Sequence, residues 1–126
     1  MLVNMSGGKK VENIINEIVE PVLLWTNPNP RNTFSPQTIN VNGAEYSSYL
    51  IEVRFSDSDG NTGVSLIPIG GKGACITPNS NFVAPYASRA VLSTNANSIQ
   101  FGAGMAYSTD NTKGIPTRVW GVKYTV

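Results

Sequence analysis

The chain has 126 residues, of which 40% are hydrophobic and only 13% charged, with a formal net charge of +1, one cysteine and no histidine. That length supports one domain with a real core, while the missing histidine excludes Ser-His-Asp and Cys-His catalysis, His-ligated zinc and HExxH proteases. No cluster of Lys and Arg offers a phosphate footprint for nucleic acid, no apolar run approaches a membrane span, and the 14 Asn, 12 Ser and 10 Thr outnumber charged residues about two to one.

The first residues, "MLVNMSGGKK", hold no apolar core of signal-peptide length. "SGG" reads as a flexible joint. In "KKVENIINEIVE", residues 9–20, Val11, Ile14, Ile15, Ile18 and Val19 recur at helical spacing, so the pattern predicts a short amphipathic helix stopped by Pro21. This divides the chain into a joint and helix over 1–21 and a β-domain over 22–126. Val11, Ile14 and Ile18 fall at a, d and the next a of a heptad, and β-branched residues at both kinds of position favour trimers. A homotrimer is therefore expected. Three turns are too short to be stable alone in water, so the β-domains must add an interface. The competing arrangement lays the stripe, widened by Ile15 and Val19, on its own domain.

From Val22 the period becomes two. Strands are predicted over 22–26, 37–42, 48–56, 63–69, 73–77, 87–93, 97–101 and 117–125. Between them lie the turn-rich pieces "NPNPRN", "NG", "GGKG", "TPNSN", "STNANS" and "STDNTKG". Many short strands at even spacing predict an all-β fold, an antiparallel β-sandwich of jelly-roll-like kind. In "YLIEVRF", Tyr49, Ile51, Val53 and Phe55 share one face and Leu50, Glu52 and Arg54 the other. In the last strand, Arg118, Trp120, Val122, Tyr124 and Val126 share a face. Trp25 and Trp120 are expected to be largely buried, Trp120 beside Val122 and Tyr124.

The stretch "RFSDSDGNTGVS" places Asp57, Asp59 and Asn61 at alternate positions, as a calcium loop begins. An EF-hand needs glycine at position six and glutamate at twelve. Counting from Asp57, those are Thr62 and Pro68, so a hairpin turn is expected and no metal site is assigned. "GGKG" fails the phosphate-loop pattern, because Gly73 follows Lys72 where Ser or Thr is required and a strand-like run follows it. Cys75 in "GACITP" reads as a small buried strand residue. Glycoside hydrolysis needs two carboxylates flanking one bond. Glu45, Glu52, Asp57, Asp59 and Asp110 offer no such pair outside a turn, so no catalytic residue and no cofactor are assigned, and an ion pair or a solvated face accounts for Glu52 beside Arg54. Tyr86 and Tyr107 lie in loop-like surroundings and are the candidate ligand-binding aromatics.

"LLWTNPNPRNTFSPQTINVN", then "YLIEVRF", "IPIGG", "SRAVLSTNANSIQFGAG" and "IPTRVWGVKYTV" follow one another over residues 22–126. Their order resembles the carboxy-terminal domain of tail-fibre, receptor-binding and other minor structural proteins of phages and prophages. That pattern has a Trp-Thr-Asn-Pro opening, an "FxxQTI" phrase, an Arg-led strand ending "ITFGxG", and a closing "IPxxIYGIK". Here these are Trp25 to Pro30, Phe34 to Ile39, Arg89 to Gly104 and Ile115 to Lys123, with Trp120 replacing the usual Tyr. The resemblance implies a β-sandwich tip with no enzymatic activity. It implies a place in the virion after synthesis in the bacterial cytoplasm, with other virion proteins and a host cell-surface glycan as partners, and it carries no ligand residues. The alternative is a carbohydrate-binding module of a secreted bacterial protein.

Overall fold

The alternation in "YLIEVRF" becomes the central strand of a sheet. The structure, a computed structural model, describes residues 20–78 and 86–123. In chain order the strands are β1 (Val22–Thr26), β2 (Gln37–Asn40), β3 (Ser48–Ser56), β4 (Thr62–Pro68), β5 (Lys72–Pro78), β6 (Tyr86–Asn95), β7 (Ser98–Met105) and β8 (Lys113–Val122). They form two antiparallel four-stranded sheets, ordered β1-β8-β3-β4 and β2-β7-β6-β5. Among the described residues there is no helix. The expected helix, with Val11, Ile14 and Ile18, lies outside them, as does Tyr124.

Tyr49, Ile51, Val53 and Phe55 of β3 are buried, and Leu50, Glu52 and Arg54 are half-buried on the opposite face. Ile67, Ile115 and Val119 join them from the first sheet, and Ile39, Cys75, Val91, Ile99 and Phe101 answer from the second. A core shared by two sheets is what makes the fold sandwich-like. Tyr49 reaches across to donate its hydroxyl hydrogen to the Ala96 carbonyl at 2.7 Å, tying β3 to the β6–β7 turn. β1 pairs with β8 and β2 with β7, so the first and last described strands lie side by side, whereas β3–β4, β5–β6 and β6–β7 are hairpins within a sheet.

Residues 57–61 are the β3–β4 turn, as the sequence predicts. Ser56 Oγ accepts hydrogen bonds from the backbone N–H of Ser58 and Asp59, and Asp59 Oδ1 accepts one from Asn61 N–H at 3.0 Å. The alternating polar residues therefore close their own turn. Cys75 is buried, and burial pushes its thiol up to about 12, the behaviour of an inert core thiol rather than a nucleophile.

Trp120 is corrected. It is half-buried on the outer face of the first sheet, while its neighbour Val119 fills the core. The cause is a bulge in β8. Val53 pairs with Pro116 and Glu52 with Arg118, which leaves Thr117 as the extra residue. Pro116 lacks an N–H, and a bulge is where a strand accommodates it. Beyond the bulge, Arg118 and Trp120 face outward, with the Arg118 guanidinium 5.2 Å from the Trp120 ring centre. Trp25 is half-buried and packs against the core edge on to Phe34.

Candidate binding faces and the Arg89 knot

One charged residue is wholly inside. Arg89 of β6 is 0% exposed. Among the described residues, no carboxylate pairs with it. Its Nε donates to the Gly114 carbonyl at 2.7 Å, Nη1 to Gly102 at 2.8 Å, and Nη2 to Lys113 at 2.9 Å and Asn111 at 3.3 Å. Burial lowers its pKa to about 10, still far above neutrality. The Phe34 ring lies 5.3 Å from the guanidinium, and Phe101 and Trp25 meet Phe34 edge-on at 5.6 and 6.3 Å. Gly104 completes the knot: a Cβ there would collide with the carbonyls of Lys113 and Asp110. Gly114, at φ +57°, turns its carbonyl to Arg89 from a conformation few other residues adopt. Asn27 donates to the Pro116 carbonyl at 2.8 Å, fastening the loop after β1 to the bulge.

The outer face of the second sheet is different in character. Alternation sends Lys72, Ala74, Ile76 and Pro78 of β5 outward, with Tyr86, Ser88, Ala90 and Leu92 of β6 and Gln100 and Met105 of β7. Ala74 pairs with Ala90, Lys72 with Leu92, and Leu92 with Gln100. Small residues therefore floor a shallow trough between longer ones. Its volume is about 570 Å³, and Lys72, Gly73, Ala90, Leu92, Gln100 and Gly102 line it. A Cβ on Gly102 would touch that of Ala90 at 3.3 Å, so the floor is already as full as glycine allows.

The two candidate tyrosines are at one end of this face. Tyr86 opens β6 and is 52% exposed; Tyr107, in the turn after β7, is 73% exposed. Ser88 pairs with Met105, so the start of β6 and the end of β7 lie at the same end of the sheet, and Tyr107 sits in the bend that the Met105–Thr109 bridge closes. Neither has its ring in the core. The polar trough walls were not singled out by sequence reasoning, because Lys72 and Gln100 join only through the β5–β6–β7 pairing.

A second concavity, of about 370 Å³, lies where the loop after β1 meets the first sheet, lined by Asn27, Glu52, Arg54, Thr117 and Arg118 among others. The partner of Glu52 is Arg118, not Arg54: Arg118 Nε and Nη2 donate to its two carboxylate oxygens at 3.0 and 3.2 Å, and the Thr117 hydroxyl adds 2.7 Å. Arg54 Nε donates instead to the Ser56 carbonyl. Partial burial works to raise the Glu52 pKa, but the hydrogen bonds from Arg118 and Thr117 and the Arg118 charge outweigh it, and the net direction is down. A carboxylate with a depressed folded pKa adds stability above its unfolded value, lost as pH falls through the folded one. Asp110 is lowered in the same sense, chiefly by hydrogen bonds from Thr112. The melting temperature is therefore expected to hold between pH 7 and about 5 and to fall below about 4.5. Glu52→Gln should shrink the drop, as thermal melts at pH 6 and pH 3.5 would show.

Among the described residues, no group of three or more Cys, Asp or Glu side chains is arranged to hold a metal ion. No protein-family model, curated protein or solved structure matches the chain.

Proposed function

We propose that the chain is a non-enzymatic structural protein of a phage or prophage virion, a tail-fibre or receptor-binding tip module that binds host cell-surface carbohydrate. The observation that carries the binding part is the outer face of the second sheet. Two exposed tyrosines stand at one end of that face, and a shallow trough farther along it carries the amide of Gln100 and the ammonium of Lys72 in its walls. Sugar rings present an apolar face to aromatic rings and hydroxyls to amides, and this face offers both. The virion assignment draws on the ordered phrases that resemble fibre-tip domains. A composition rich in Asn, Ser and Thr suits a displayed module.

A glycan array of bacterial surface polysaccharides, followed by titration of the best ligand, tests the binding. Tyr86→Ala and Tyr107→Ala are each expected to weaken binding about tenfold, roughly 1.4 kcal/mol. Their melting temperatures should stay within a few degrees of the parent, since both rings are exposed. Binding that survives both substitutions would move the site elsewhere. The same reading carries the homotrimer: light scattering at tens of micromolar should return three times the chain mass. A monomer mass defeats that part.

A further inference from the structure

The outer face of the first sheet carries an apolar row across all four strands. Leu23 of β1 pairs with Trp120 of β8, Trp120 with Leu50 of β3, and Leu50 with Leu66 of β4. Val64 lies beside the row, and Leu23, Val64 and Leu66 are each more than half exposed. The neighbouring row runs Thr26, Arg118, Glu52 and Val64, polar except at its Val64 end, with the Glu52–Arg118 ion pair at its centre. A continuous apolar strip with a polar rim marks a contact surface rather than scattered surface hydrophobes.

The chain itself indicates what covers it. A concavity of about 530 Å³ in this face is lined by Leu50, Val64 and Trp120 together with Glu20 and Pro21. The polypeptide thus enters the domain over the apolar row. Immediately before Glu20 comes the stretch with Val11, Ile14, Ile15, Ile18 and Val19. We propose that residues 11–19 of the same chain lie across the outer face of the first sheet, over Trp120, Leu50 and Leu66.

The dimensions agree. Nine helical residues span about 14 Å at 1.5 Å each, and four strands span about 14 Å across three spacings of roughly 4.8 Å. Helical spacing puts Val11, Ile15 and Val19 on one ridge, i, i+4 and i+8, with Ile14 and Ile18 on the next. The first ridge rests on the sheet. The second, Ile14 and Ile18, stays at its flank, available to the seam between chains, and Val11 leaves the seam for the sheet. Lys10, Glu12, Asn13, Asn16 and Glu17 keep to the polar side. Covalent continuity decides between this segment and a second copy. A segment joined without a spacer is present at an effective concentration of millimolar or more, far above a second copy at micromolar.

Cysteine pairs in the full-length chain test the placement. Ile15→Cys is combined in turn with Leu50→Cys and Leu66→Cys, with Asn13→Cys as the control on the polar side, and each variant is oxidised and run on a non-reducing gel. Cys75 is buried and stays out of the reaction. The Ile15 pairs are expected to close reversibly within one chain, giving a faster-running monomer, and the Asn13 pairs to stay open. Covalent dimers alone would mean that a second copy covers the face; thiols that stay free in every pair would mean that nothing does. Either result overturns the proposal. Hydrogen exchange on the parent chain supplies an independent readout. Amides of residues 11–19 should exchange at least tenfold more slowly than in a Leu66→Asp variant, and equal rates in the two would count against the contact.

Discussion

Arg89→Met is expected to lower the melting temperature by about 10–20 °C. The guanidinium donates to four carbonyls: the bond to Gly114 is buried, and those to Gly102, Asn111 and Lys113 are part-buried. A buried acceptor left without a donor costs about 1–3 kcal/mol. The Asn111 carbonyl keeps the Phe34 N–H as a donor; the other three come to about 4 kcal/mol, toward the low end of that range because two are only part-buried, and relief from burying the charge offsets part of that. A net loss of about 3 kcal/mol or more is a large share of the roughly 5–15 kcal/mol that holds a domain together, and gives the stated shift for a chain of this size. Arg89→Lys separates charge from geometry. It keeps the positive charge, but one ammonium cannot reach carbonyls arrayed around a planar fork. It should therefore fall most of the way to the methionine variant in urea melts. A lysine variant as stable as the parent would show that charge alone sufficed.

Phe34→Ala should cost about 3–5 kcal/mol, the range for emptying a buried phenyl site. The ring is held edge-on by Trp25 and Phe101 and lies under the Arg89 guanidinium. Its loss opens a cavity and also uncovers the buried charge. The two substitutions share a knot, so their effects should not add: a double-mutant cycle with Arg89→Met is expected to show coupling of about 1 kcal/mol or more. Additivity within a few tenths would mean that ring and guanidinium act independently.

This knot explains what the ordered phrases in the sequence do. Trp25 and Asn27 of "WTNP", Phe34 of "FSPQTI", Arg89, Phe101 to Gly104 of "FGAG" and Pro116 of "IPTRVW" belong to one connected packing arrangement. They tie β6 and β7 to the turn before β8 and to the start of that strand. The two candidate tyrosines fall outside all of these phrases.

Strand positions were legible because the forces that set them are local. β3 alternates strictly, its turn is written in Ser56, Asp59 and Asn61, and a small apolar neighbourhood around Cys75 already implies burial. What was hidden depends on partners distant in sequence. β8 begins at Lys113 rather than at 117, since Gly114 and Pro116 look like strand breakers until the bulge accommodates them. That bulge also sets which side of "TRVWGV" turns inward, and both sides carry apolar residues, so the pattern alone favoured the wrong one for Trp120. Arg89 alternates with Ala87 and Val91 as a core residue would. A charge at that position becomes intelligible only when four carbonyls from 102–114 surround it. Likewise Tyr86 and Tyr107 are 21 positions apart, and only the β6–β7 register brings them to one end of a sheet.

Chemical-shift mapping of the isotopically labelled chain, titrated with the glycan that the array selects, tests the functional reading most directly. The account predicts perturbations confined to the outer face of the second sheet, in Lys72–Pro78, Tyr86–Leu92 and the stretch from Gln100 to Tyr107. Perturbations centred on Trp120, Leu50 and Leu66, or on the cleft between Asn27 and Arg118, would contradict it.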